Sequence, residues 1–297
     1  MLPKRFTSRF THTTFEDEMK WYSNEPTQGK EDYSISDSLM ALMKQHNIAV
    51  RGHNVLWDDP RFQPSWVPSL ESKLGPSASS TFYKMASDID SFVPLFMNEY
   101  NTLEEKGDTA STPDKYLAKL KEIKCVLGPK ANQMAIGLEC HFDVPNLPYV
   151  RSSLDTLASK KLPIWLTEIV VKSNPNQATF LEQVFREGHE HPGVSGMIIW
   201  SAWKPEGCYH MCLTDNNFKN LATGEVVDKL LKEWGIKATL QGQTDANGFF
   251  EASLFHGEYE VKISLPVDAA NTSLSKRFNV EPAHESQDQV MLLQVST

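Results

Sequence analysis

The chain has 297 residues, 40% of them hydrophobic and 23% charged, which is enough to bury one barrel-sized core with a small second domain attached. Its net charge of -9 and scattered Lys and Arg residues exclude the basic footprint of a nucleic-acid binder, and no apolar run of about 18 residues is present to span a membrane. No apolar stretch of about 7–15 residues follows the start Met1-Leu-Pro-Lys-Arg-Phe, so no secretory signal is visible.

From roughly residue 10 to 235 short β-rich runs alternate with longer helix-compatible stretches, the pattern of repeated βα units around a parallel sheet. The expected strands are Thr14 to Lys20, Ala49 to Leu56, Val93 to Met97, Met134 to Glu139, Pro163 to Ile169 and Gly196 to Ile199, compact apolar runs suited to burial on both faces. Between them, helices are expected over Ile35 to Gln45, over Thr112 to Val126 behind a Thr-Pro-Asp start, over Gln177 to Gly188 and over Val226 to Trp234. After Gly235 the texture changes to alternating strands around Phe250–Phe255 and Tyr259–Leu265, joined by Asn247-Gly248 and His256-Gly257 turns, so 238–297 reads as a small β-sandwich-like module. Within it Asn271-Thr-Ser is a glycosylation triplet, meaningful only in a secreted protein. Cys208 and Cys212 are spaced for a disulfide or for two free thiols, and no second ligand pair accompanies them as a metal site would require.

The expected strands end in polar and aromatic residues: Glu16 to Trp21, Gly52 to Asp58, Asn98 to Asn101, Glu139 to His141, Thr167-Glu168 and Trp200 to Trp203. In a parallel α/β barrel these ends converge on one face, where active sites are built. Carboxylates, histidines and tryptophans in one cleft suit a carbohydrate, whose C–H faces pack on aromatic rings while its hydroxyls need fixed donors and acceptors. Paired carboxylates are also what cleavage of a glycosidic bond requires. Singly, each residue has a plainer reading: Glu168 as a solvated or capping group, His53 as a satisfied buried histidine, Trp21 and Trp200 as core. The functional reading rests on their joint occurrence at successive strand ends.

Glu-Met-Lys-Trp at 18–21, Arg-Gly-His-Asn-Val-Leu-Trp-Asp-Asp-Pro at 51–60, Leu-Phe-Met-Asn-Glu-Tyr-Asn at 95–101, Ile-Gly-Leu-Glu-Cys-His-Phe at 136–142, Trp-Leu-Thr-Glu at 165–168 and Gly-Cys-Tyr-His-Met-Cys-Leu-Thr-Asp at 207–215 closely resemble plant-type endo-1,4-β-xylanases of glycoside hydrolase family 10. The resemblance implies a (β/α)8 barrel over 6–235, xylan or a related plant cell-wall polysaccharide as partner, no cofactor or metal, and an extracellular, cell-wall setting. It assigns Glu168 as the nucleophile and Glu16, Lys20, His53, Trp57, Asn98, His141 and Trp200 to sugar binding and the cleft wall.

Two departures qualify that expectation. The family's acid/base glutamate lies in a Trp-Asp-Val-x-Asn-Glu motif ending strand four, and no such motif occurs here; the sequence passes from the Gln63–Leu70 stretch directly to Glu71–Pro76. Strand one and the strand-four unit are therefore expected to be missing, leaving about six strands. Asp17 and Val170 also replace an asparagine and an aspartate usual in the family. Without a proton donor a sugar leaving group departs as an alkoxide, so xylan cleavage is expected to be impaired unless Glu99 or Glu139 deputises. The alternatives are a non-catalytic carbohydrate-binding relative and the product of an incomplete gene model.

Overall fold

The computed structural model describes residues 2–57, 59–67, 78–200, 203–208, 210–236, 240–252, 254, 257–264 and 273–280. The chain divides into two compact units, Met1–Leu230 and Leu231–Thr297. The expected Leu70–Glu71 junction and the Asn271 glycosylation triplet lie outside the described residues.

Among the described residues, six strands, each paired in parallel, form the first unit's partial barrel: β1 (His12–Thr13), β2 (Ala49–Val50), β3 (Leu95–Glu99), β4 (Met134–Phe142), β5 (Ile164–Val171) and β6 (Val194–Ile199). They are paired as two sheets, β1-β2 and β3-β4-β5-β6. β4 and β5 are the buried apolar runs that burial on both faces demands: in β4 all but Glu139 and His141 are buried, and in β5 all but Trp165. β1 and β2 differ: each is two residues long, with its first residue (His12, Ala49) exposed and its second (Thr13, Val50) half-buried. The strand expected over 14–20 is instead a bend and turn, because Phe15-Glu-Asp-Glu interrupts the apolar run with three carboxylates; pairing ends at Thr13↔Val50.

Helices α1 (Leu2–Arg9), α2 (Trp21–Asn24), α3 (Ser34–Gln45), α4 (Ala78–Ile89), α5 (Pro113–Leu127), α6 (Leu147–Ala158), α7 (Gln177–Glu190) and α8 (Ala222–Glu233) separate the strands. α5 starts where its sequence predicts: the Thr112 hydroxyl accepts from the Lys115 N–H, and Pro113 takes the first helical position. α6 uses Asn146 in the same way, a start that its Pro148 made hard to separate from a loop. Between β2 and β3 the sole described α-helix is α4, whose Tyr83 hydroxyl donates to the Phe96 carbonyl at 2.8 Å and so anchors it to β3. Apolar side chains on this side are left uncovered, with Ile89 86% and Phe92 94% exposed.

In the second unit, β7 (Gly257–Ser264) and β8 (Ser273–Val280) pair antiparallel, with Tyr259 stacked on Phe278. Before them the Asn247-Gly248 turn forms as expected: Gly248 takes φ +84° and its N–H donates to the Asp245 carbonyl at 3.0 Å. The strand expected around Phe250–Phe255 is absent at the described residues 250–252 and 254, which follow the Asn247-Gly248 turn without joining a sheet; residues 265–272 and 281–297 of the expected module lie outside the described residues.

Candidate active site

The carboxyl ends of β3, β4 and β5 carry the densest cluster of polar groups in the molecule's first unit. Register fixes it: Asn98 stands beside Gly137, and Glu139 beside Glu168, after a shift in pairing at Leu138/Glu139. Partners in parallel register point to the same side of a sheet, so Glu139 and Glu168 face the barrel interior together. Gly137 is required by this arrangement, since a Cβ there would lie 2.5 Å from Asn98 Oδ1 and 3.2 Å from the Met97 carbonyl.

Asn98 is the hub. Its Oδ1 accepts from Thr167 Oγ1 at 2.6 Å and from Arg51 Nη2 at 3.1 Å, while its Nδ2 donates to Glu139 Oε1 at 2.9 Å. The Arg51 guanidinium also lies 5.3 Å over the Phe96 ring. Arg51 directly follows β2, so this one side chain links the two-stranded sheet to the four-stranded one. Beneath the hub, Tyr116 from α5 donates to the Met97 carbonyl and accepts from the Gly137 N–H at 3.2 Å, closing the backbone groups where β3 and β4 meet.

Glu168 is 5% exposed and sits between two imidazoles: His53 Nε2 is 3.5 Å from Oε1, and His141 Nε2 is 3.5 Å from Oε2. The two histidines are tuned in opposite directions. Burial, with the positive charges of Arg51 and Lys20, depresses His53 to about 3, so it is neutral at any working pH. Burial opposes the charged form of His141 as well, but the close approach of Glu168 and the negative field of Glu168, Glu139 and Glu104 outweigh it and raise its pKa. Burial and the Glu168 charge lift Glu139 from 4.5 to about 7. Glu104, buried and therefore also raised, accepts from the backbone N–H groups of His141 and Leu103, each at 3.0 Å, and pins the end of β4.

One donor atom each from Glu139, His141 and Glu168 falls within 4.8 Å of the others. Within this group Asn98 Nδ2 already donates to one Glu139 oxygen. The arrangement thus suits proton handling and nucleophilic attack at one carbon.

The other residues singled out in the sequence are placed differently. Lys20 is buried, 3.4 Å from Asp17 and 4.7 Å over the Trp57 ring. Trp57 is stacked on Phe62 at 4.1 Å, so its ring is engaged within the protein. Glu16 is exposed and pairs with Lys204 at 3.5 Å. Trp200 lies 5.8 Å from the His141 ring, beside the carboxylate cluster. Trp21 belongs to an aromatic group with Trp66 and Phe82 and donates to Glu25. Cys208 and Cys212 are disulfide-bonded, with Cα atoms 5.5 Å apart. Arg51 and Glu104 had not been singled out. Arg51 stands in the Arg-Gly-His motif and its charge could have marked it, whereas Glu104 in Leu-Glu-Glu-Lys looks like any solvated stretch.

A family model described as glycosyl hydrolase family 10 matches residues 2–78. The chain is 39% identical over 340 aligned positions to "Endo-1,4-beta-xylanase 5-like" of Arabidopsis thaliana, which covers 99% of the chain and 59% of that relative. It is 40% identical to "Endo-1,4-beta-xylanase 5" of the same plant, over 88% of the chain and 54% of the relative. The chain therefore spans little more than half the length of these relatives, and the first alignment is longer than the whole chain, so that relative carries residues inside the matched region that this chain lacks. Among solved structures, xylanase 10B of Thermotoga petrophila in complex with xylobiose superposes with a TM-score of 0.65 at 17% identity, covering 78% of the chain and 88% of that structure.

Proposed function

We propose that the chain is a glycosyl hydrolase family 10 member whose first unit is a partial barrel of that fold, a retaining O-glycosyl hydrolase of the endo-1,4-β-xylanase kind acting on xylan with Glu168 as nucleophile. The observation that carries this reading is the setting of Glu168 itself: nearly buried at a strand's carboxyl end, held between the neutral His53 and His141, whose pKa the surrounding carboxylates raise, with a second carboxyl beside it.

In this reading the neutral His53 offers an N–H to one Glu168 oxygen and orients it without neutralising the carboxylate, while His141 steadies the other oxygen. Attack by a Glu168 oxygen on the anomeric carbon gives a glycosyl-enzyme intermediate that water then hydrolyses. Trp200 offers the aromatic surface nearest the cluster for a sugar ring. Lys20 serves His53 electrostatically, and Asn98 holds the cleft wall. The Cys208–Cys212 disulfide suits the oxidising, extracellular cell-wall setting that xylan implies.

A carbohydrate-binding protein without turnover is the second reading, favoured by the absence of the Trp-Asp-Val-x-Asn-Glu acid/base motif from the sequence. An aryl xyloside separates the two, because its phenolate leaves without a proton. Glu168→Gln is expected to abolish aryl-xyloside turnover while xylo-oligosaccharide binding, read by calorimetry, persists. Turnover that survives the substitution removes Glu168 from the nucleophile role; binding with no turnover in the unsubstituted protein establishes the binding reading.

A further inference from the structure

We propose that Glu139 is the proton carrier of this site, working as general acid and then general base opposite Glu168; the proposal rests on the reading of Glu168 as nucleophile. Three observations place it there. Glu139 and Glu168 are register partners on adjacent strands, facing the same side of the sheet. Their carboxylate oxygens approach within 4.8 Å, close to the ~5–5.5 Å separation of carboxyl groups in retaining pairs and well short of the ~6.5–9.5 Å of inverting ones. The other acidic groups nearby are committed elsewhere: Glu104 to the backbone of His141 and Leu103, and Glu99 to the Tyr100 N–H at 3.0 Å.

The electrostatics divide the labour. Burial and the Glu168 charge keep a proton on Glu139 up to about pH 7, as an acid catalyst near neutrality requires. The groups facing it are Glu168 on β5, His141 on its own strand, Glu99 at the end of β3, Glu104 and the Arg51 guanidinium; the carboxylates raise its pKa and His141 opposes them. The Asn98 amide holds Oε1, which leaves Oε2 to carry the proton.

The first step forms the bond from Glu168 to the anomeric carbon and breaks the bond to the leaving oxygen, whose electron pair takes the Glu139 proton. In the second, Glu139 as carboxylate takes a proton from water, the water oxygen bonds to the anomeric carbon, and the bond to Glu168 breaks with its electron pair returning to the carboxylate. Water is the sole co-reactant.

The test is Glu139→Gln, assayed on a xylo-oligosaccharide, whose leaving group needs a proton, and on 2,4-dinitrophenyl xylobioside, whose leaving group does not. Loss of the proton carrier is expected to lower xylo-oligosaccharide turnover roughly 10²–10⁴-fold. Azide is expected to restore turnover of the dinitrophenyl substrate with formation of a β-xylosyl azide, and the alkaline limb of the kcat/KM profile near pH 7 is expected to vanish. Unchanged xylo-oligosaccharide turnover, or an equal loss on both substrates without azide rescue, overturns the assignment. Labelling of Glu168 by a 2-fluoro xyloside, read by mass, shows in those cases that the nucleophile reading survives. No turnover and no labelling in the unsubstituted protein sinks both.

Discussion

The two sheets of the first unit hold the same kind of site residue by different means. In β3–β6, strands of five to nine residues carry Asn98, Glu139, His141 and Glu168 on paired backbone, and packing from α5 closes the ladder from below. In β1–β2, two residues pair on each strand, and Lys20 and His53 are carried on the loops beyond them. Where an additional strand would bring ladder hydrogen bonds, the Arg51 side chain makes the link through Asn98. The difference shows that a ladder fixes a side chain's direction by backbone geometry alone, whereas a loop-borne side chain is fixed by the charges and hydrogen bonds it meets. The histidine on the loop, His53, is depressed by burial and by the charges of its neighbours Arg51 and Lys20.

Asn98→Ala should disturb the comparison most. It leaves Arg51 Nη2, Thr167 Oγ1 and Glu139 Oε1 without the partner they share, a buried charged group among them, so a loss of about 3–5 kcal/mol is expected in urea unfolding. A loss below about 1 kcal/mol would mean that the two sheets are held together by other contacts.

Next in size is the pH dependence. Glu139 has a folded-state pKa above its unfolded value, so its contribution to stability is complete below 4.5 and disappears as pH rises to about 7. The loss is on the order of 3 kcal/mol across that window. His141, also raised, has the same sign and loses its contribution as pH climbs through its folded pKa. Thermal melting of the Glu139→Gln protein is expected to lie above that of the unsubstituted protein at pH 8 and to vary less between pH 4.5 and 7. A curve parallel to the unsubstituted one would assign the pH dependence to other groups.

Arg51→Met is the smallest and most selective change. It keeps apolar volume beside Phe96 and removes the link to Asn98, worth about 1 kcal/mol. Amide exchange at residues 49–50 is expected to speed up roughly fivefold while that of 134–142 and 164–171 holds. Equal acceleration in both sheets would show that they open as one unit.

The parts of this molecule legible in its sequence are those governed by local pattern. The buried runs of β4 and β5 announce themselves because burial on both faces demands unbroken apolar stretches, and the Thr112-Pro-Asp start of α5 because its capping chemistry is contained in three residues. The ordered strand-end motifs likewise carry the family resemblance, and with it the expectation for Glu168, without any coordinates. Strand β1 was misplaced because two paired residues leave no period to read, and α6 was missed because a Pro near its start reads equally as a turn. What only the tertiary structure decided are the relations between residues far apart in the chain. Asn98 binds groups 47, 41 and 69 positions away, and Trp57 is stacked within the protein by Phe62 and Lys20. Glu139 acquires its raised pKa from burial and from Glu168 across a strand pair. Charge and hydrogen bonding depend on separation in space, which sequence patterns encode for near neighbours and packing alone sets for distant ones.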